Sequence, residues 1–128
     1  MCLAIGAGLV AGSLSSCAAL PMYETVVAGD KIKVPASLFA QSKFQLIQAR
    51  GLSYNIGLRK ETDGTFAAFL LRCTHADNQL TPTGSGFTCS LHGSTFDKEG
   101  QVTQGPAERS LKKYQAEIVS DQIIIHLS

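Results

Sequence analysis

Apolar and polar residues alternate in short runs over most of the chain, which is the pattern of β-strands with one buried face. The runs are rich in β-branched and aromatic residues, and Gly, Asp and Ser separate them at close intervals. They predict eight strands, at residues 23–27, 31–34, 44–49, 54–60, 66–72, 95–97, 114–119 and 122–127. One short segment, 36–42, has the composition for one or two helical turns.

The segments between these strands are tight turns, with one long exception. The sequence Glu-Thr-Asp-Gly at 61–64 predicts a hairpin with Gly64 in the left-handed position, and Ser120-Asp121 predicts another. Residues 73–108 contain one predicted strand and are otherwise predicted to be loop-rich. No segment repeats at a period of about 20–50 residues, which excludes a solenoid. We therefore predict a small all-β domain over residues 23–128 with an insertion at about 73–108.

Residues 1–22 carry no charged side chain and differ from the rest of the chain. They predict an export signal or membrane anchor, since about 20 apolar residues span a bilayer. The sequence Leu-Ser-Ser-Cys at 14–17 resembles a bacterial lipobox, in which Cys17 would receive lipid. No basic residue precedes Cys17, so either the start lies upstream or the anchor is not cleaved. A retained membrane helix and a buried apolar segment are the alternatives.

Length, composition and charge limit the class of protein. A chain of 128 residues with 45% hydrophobic residues fits one folded domain and argues against disorder. Lys and Arg number 11 against 10 Asp and Glu, a formal net charge of +1. Nucleic-acid-binding domains usually carry a basic excess, so we do not expect a nucleic-acid partner.

Cysteine and histidine are concentrated in the insertion. Cys73-Thr74-His75 is followed by Cys89-Ser-Leu-His92, so each of two short segments offers one thiol and one imidazole. A structural zinc site uses such donors, although its usual spacing pairs Cys with Cys and His with His. A Rieske-type [2Fe–2S] centre places two cysteines on one iron and two histidines on the other, which explains mixed pairs. A disulfide with ordinary histidines is the third interpretation.

Residues 73–96, and more loosely 44–128, resemble a Rieske iron–sulfur domain. The resemblance rests on Cys-Thr-His at 73–75, Cys-x-x-His-Gly-Ser at 89–94, the following Phe-Asp and Gly-Pro-Ala at 105–107. It implies that Cys73 and Cys89 ligate the inner iron, and that His75 and His92 ligate an outer iron near the surface. It also implies a cover loop at 104–107 and a base of antiparallel β-layers, a β-sandwich into which the cluster-binding part is inserted.

Four positions depart from the quinol-oxidising branch of that family or bear on the potential of the cluster. Asn78 and Leu91 stand where that branch has the cysteines of an interloop disulfide, so no such disulfide can form. Ser94 matches the branch and is expected to donate a hydrogen bond to a bridging sulfide. Phe96 replaces a tyrosine whose hydroxyl would bond a ligand sulfur. Since such bonds raise the potential, we expect an intermediate value.

Two redox functions and one non-redox function follow from these expectations. The first is one-electron transfer in an exported, membrane-anchored subunit of a quinol-oxidising or other respiratory or photosynthetic complex of the bacterial cell envelope. Its partners would be a redox donor and acceptor, such as a cytochrome, and the membrane through the N-terminus. The alternatives are a cytoplasmic ferredoxin component of a ring-hydroxylating oxygenase and a zinc-stabilised module. The chain itself would be an electron carrier.

Overall fold

The computed structural model describes residues 21–128. The lipobox at 14–17 and nearly all of the predicted anchor lie outside these residues. In the described part, no helix has the length and apolar character needed to cross a membrane. The described elements are one 3₁₀ turn and eleven strands: β1 (Met22–Val26), β2 (Lys31–Pro35), the 3₁₀ turn (Ala36–Phe39), β3 (Phe44–Arg50), β4 (Ile56–Lys60), β5 (Phe66–Leu70), β6 (Thr81–Thr83), β7 (Gly86–Thr88), β8 (Thr95–Asp97), β9 (Val102–Gln104), β10 (Lys113–Val119) and β11 (Gln122–His126).

Seven strands form the base sheet, in the order β1-β3-β4-β5-β10-β11-β2. Neighbours pair antiparallel except β1 and β3, which run parallel. The two edge strands, β1 and β2, approach each other, so the sheet curls around its inner face. This confirms the predicted all-β base. Both predicted hairpins are present, with Gly64 at φ 88° and Ser120 at φ 57°.

Alternation along the strands fills the inside of this curled sheet. On β2, Ile32 and Val34 point inward, and on β11 their register partners Ile125 and Ile123 do the same. All four side chains are fully buried. Burial of each such side chain contributes about 1.5–3 kcal/mol, so this first core, inside the curled sheet, stabilises the base.

Strand β5 is buried on both faces, which explains its unbroken apolar sequence. Ala68 packs into the first core, whereas Ala67 and Phe69 point to the other side. There they meet a second core that lies between the base sheet and the insertion. Its members are Leu46, Ala67, Phe69, Leu71, Cys73, Leu80, Phe87, Cys89, Phe96, Ala107 and Leu111. Burial of β5 on both sides therefore positions the insertion.

The insertion contains more regular structure than the sequence predicts. Strands β6 to β9 form a four-stranded antiparallel sheet, whereas the sequence indicated only residues 95–97. These four strands cover only 12 of the 36 residues at 73–108, so the insertion is loop-rich as predicted, but three of its strands are missing from the prediction. Each of these strands has three residues, too few for a period-two pattern, and Pro82 and Gly86 interrupt two of them.

Candidate metal centre

Two six-residue loops extend from the second core, and both are closed in the same way. In the first loop (residues 73–78), the Cys73 N–H donates to the carbonyl oxygen of Asn78 at 2.9 Å. In the second loop (89–94), the Cys89 N–H donates to the carbonyl oxygen of Ser94 at 2.8 Å. Gly93 adopts φ 83°, a conformation that glycine reaches without steric cost, and allows the second loop to turn back. Each loop thus starts at a cysteine fixed by its own backbone.

Thiols and imidazoles lie at opposite depths in this pair of loops. Cys73 and Cys89 are each 1% exposed and belong to the second core. His75 and His92 are exposed, and their ring centroids lie 5.1 Å apart at an interplanar angle of 87°. The structure therefore places the two cysteines in one buried core and pairs the two imidazoles at the surface. The third histidine, His126, lies on β11 and contacts Glu117 at 2.8 Å.

The donor set fits a two-iron cluster better than a single ion. Both cysteines are free thiols, which contradicts the disulfide interpretation. Within residues 21–128, no three side chains of His, Cys, Asp or Glu converge closely enough to hold one metal ion. Tetrahedral zinc requires four donors around one point. A [2Fe–2S] cluster of the Rieske type needs only two ligands for each iron, thiolates on one and imidazoles on the other.

The environment of Cys89 favours the form of sulfur that binds metal. Burial raises the pKa of this thiol, but hydrogen bonds to the sulfur outweigh that effect and leave the pKa below its usual value. The donors are the backbone N–H of Leu91, the side-chain amide of Asn78, the Cys73 thiol and the backbone N–H of His92. Because metals bind the thiolate rather than the thiol, this environment favours the form that a metal would require.

The predicted cover loop at 104–107 contacts the second loop directly. Ser94 is fully buried, and its Oγ accepts the N–H of Ala107 at 3.0 Å. The Gln104 side-chain amide donates to the carbonyl oxygen of Gly93 at 3.1 Å. Because Ser94 is the acceptor in its contact with Ala107, its own hydroxyl hydrogen remains available to another partner. Donation from Ser94 to a sulfide stays a prediction.

The first loop is held from two sides. Thr74, between the two predicted ligands of this loop, donates its hydroxyl to the carbonyl oxygen of Arg109 at 2.7 Å. The Arg109 guanidinium returns a bond to the carbonyl oxygen of Thr74 at 3.4 Å. Arg72 and Asp77 form an exposed ion pair across the base of the loop, with Arg72 Nε 2.9 Å from the carboxylate. These contacts restrict the loop before any metal is bound.

Sequence reasoning missed one residue of this site. In the sequence, Asn78 indicates only that the cysteine of an interloop disulfide is missing at this position. In the structure its Nδ2 lies 3.4 Å from Cys89 Sγ, so it contacts a predicted ligand of the other loop. Its position five residues after Cys73 gives no signal for this contact, because the neighbouring loop is brought close only by the tertiary fold.

The fold and the two Cys/His loops define an iron–sulfur protein. A model of the Rieske [2Fe–2S] domain matches residues 30–115, and the chain belongs to this family. The domain carries a single [2Fe–2S] cluster and transfers electrons.

Similar proteins agree with this family. The chain is 34% identical over 108 residues to the cytochrome b6-f complex iron-sulfur subunit 2 of Nostoc sp., and 35% identical over 114 residues to that of Trichormus variabilis. Each match covers 78% of this chain but only 61% of the relative. Among solved structures, the plasma membrane Rieske protein PetC3 of Synechocystis has a similar fold, with a TM-score of 0.60 at 24% identity, covering 73% of this chain and 97% of that one.

Proposed function

We propose that Cys73 and Cys89 ligate the inner iron of the cluster, and that His75 and His92 ligate the outer iron. The supporting observation is the difference in depth, with both thiols in the second core and both imidazoles at the surface. When bound, the cluster supplies a site for one electron. The imidazoles give it an exposed edge where a redox partner can dock, while the buried sulfurs exclude water from the inner side.

We further propose that the chain serves in an exported, membrane-anchored subunit of a quinol-oxidising or related respiratory or photosynthetic complex. It would face the periplasm in a bacterial cell envelope. The relatives named as cytochrome b6-f subunits and the uncharged segment at 1–22 support this proposal. A cytochrome would be the acceptor. A ferredoxin component of an oxygenase system is the second candidate, favoured by the absence of cysteine at Asn78 and Leu91.

The experiment compares location and electron acceptor. The full chain is expressed in a bacterial host and fractionated, together with Cys17→Ser and, as a matched control, Cys2→Ser. We expect the wild type and the control to sediment with membranes, and Cys17→Ser to be released or to keep an uncleaved N-terminus. In stopped-flow mixing, the reduced protein should pass one electron to an oxidised c-type cytochrome. A soluble wild type that is reduced by a ferredoxin reductase and does not reduce the cytochrome would favour the second candidate.

A further inference from the structure

The side-chain amide of Asn78 lies between the two ligand loops. Its nitrogen Nδ2 is 3.4 Å from Cys89 Sγ in the second loop and 3.2 Å from the carbonyl oxygen of Gln79. A carbonyl oxygen can only accept a hydrogen bond, and a metal-ligating sulfur is a thiolate that also accepts. The amide therefore directs one N–H to each partner, and its orientation is set by both.

The rest of Asn78 is fixed by the loop to which it belongs. Its backbone oxygen accepts the N–H of Cys73 at 2.9 Å, and the residue is half-buried. The amide therefore needs no rearrangement to reach the sulfur. Asn78 and Leu91 stand where an interloop disulfide would be placed, but Leu91 is 55% exposed and apolar. The bond from Asn78 is thus a direct link between the loops that does not depend on Leu91.

We propose that the Asn78 amide donates a hydrogen bond to the sulfur of Cys89 in the cluster-bound protein and thereby raises its reduction potential. The proposal rests on the ligand assignment made above. Reduction adds one negative charge, part of which is carried by the ligand sulfurs, so an N–H donor to sulfur is stronger in the reduced state. Phe96 has no hydroxyl with which to make such a bond. Asn78 supplies the donor from the first loop instead.

The first test measures the midpoint potential of the full chain with its cluster. Asn78→Leu keeps a side chain of similar size and removes both N–H groups. Asn55→Leu is the matched control, because Asn55 is also half-buried but bonds Gln79 through its backbone N–H. We expect Asn78→Leu to lower the equilibrium constant for one-electron reduction five- to tenfold, about 40–60 mV at 59 mV per tenfold change. The control should stay within twofold of the wild type, and an Asn78→Leu value inside that range would overturn the proposal.

The second test starts from the labelled wild type, whose spectrum can overturn the proposal even if a variant fails to assemble its cluster. Asn55 and Asn78 are the chain's two asparagines, so labelling with ¹⁵N-asparagine marks only these positions. Pulsed electron paramagnetic resonance of the reduced cluster should show a ¹⁵N coupling that survives Asn55→Leu and disappears in Asn78→Leu. A labelled wild type with the cluster but without this coupling would overturn the proposal. A wild type without two irons and two sulfides would instead overturn the ligand assignment beneath it.

Discussion

Replacing Ser94 by alanine separates two roles of one buried hydroxyl. Ser94 is fully buried, and its Oγ accepts the N–H of Ala107, which is itself 4% exposed. Ser94→Ala leaves that N–H without a partner, and an unsatisfied buried donor costs about 1–3 kcal/mol. For a domain of this size, the melting temperature should fall by roughly 4 °C for each kcal/mol lost. The stability effect follows from the described contact alone.

The same change removes the hydroxyl hydrogen that we expect Ser94 to donate to a bridging sulfide. Loss of about 1–2 kcal/mol of preferential stabilisation of the reduced cluster corresponds to a drop of about 40–90 mV in midpoint potential, since 59 mV is a tenfold change for one electron. The drop should appear in a redox titration that follows the visible absorption of the cluster.

Ser85→Ala is the control for both measurements, because Ser85 is an exposed serine in the turn between β6 and β7. It should change neither the potential nor the melting temperature. A Ser94→Ala protein whose potential stays within about 20 mV of the wild type, a twofold change, would refute the bond to sulfide. An unchanged melting temperature would refute the inference that Ser94 holds the cover loop.

Two further predictions concern the ligands and the core. Cys73→Ser should lose the visible spectrum of the cluster, because a hydroxyl is a poorer iron ligand than a thiolate. Chemical analysis should find two irons and two sulfides in the control Cys2→Ser but not in Cys73→Ser. A Cys73→Ser protein with full iron and sulfide content would contradict the ligand assignment. Burial raises the pKa of Tyr114 above its usual 10.0. The unfolded state therefore loses this proton at lower pH than the folded state, and the free energy of unfolding should fall as pH rises above about 10. Chemical unfolding followed by circular dichroism should show a smaller fall in Tyr114→Phe. Equal pH dependence of the two proteins would exclude this explanation.

The base sheet was predictable because its strands carry their own signal. On β2 and β11 every second residue is a buried Ile or Val, and the residues between them are more exposed. Turn residues such as Gly64 mark the ends of hairpins in the same local way. The strands of the insertion have only three residues each, so their pairing depends on the second core against β5 rather than on a pattern of their own. For this reason the sequence indicated one strand in a segment where the structure has a four-stranded sheet.

For the candidate site, too, some features follow from local sequence and others from tertiary packing. The sequence by itself determined which residues can act as ligands, because each Cys/His pair lies within one short loop and its spacing is a local property. Only the tertiary structure decided that both cysteines are buried, that both imidazoles are exposed, and that the amide of Asn78 reaches the sulfur of Cys89. These features arise when the second core packs two separate loops against β5. Contacts across such a core depend on the packing of distant segments, which the local spacing of residues does not encode.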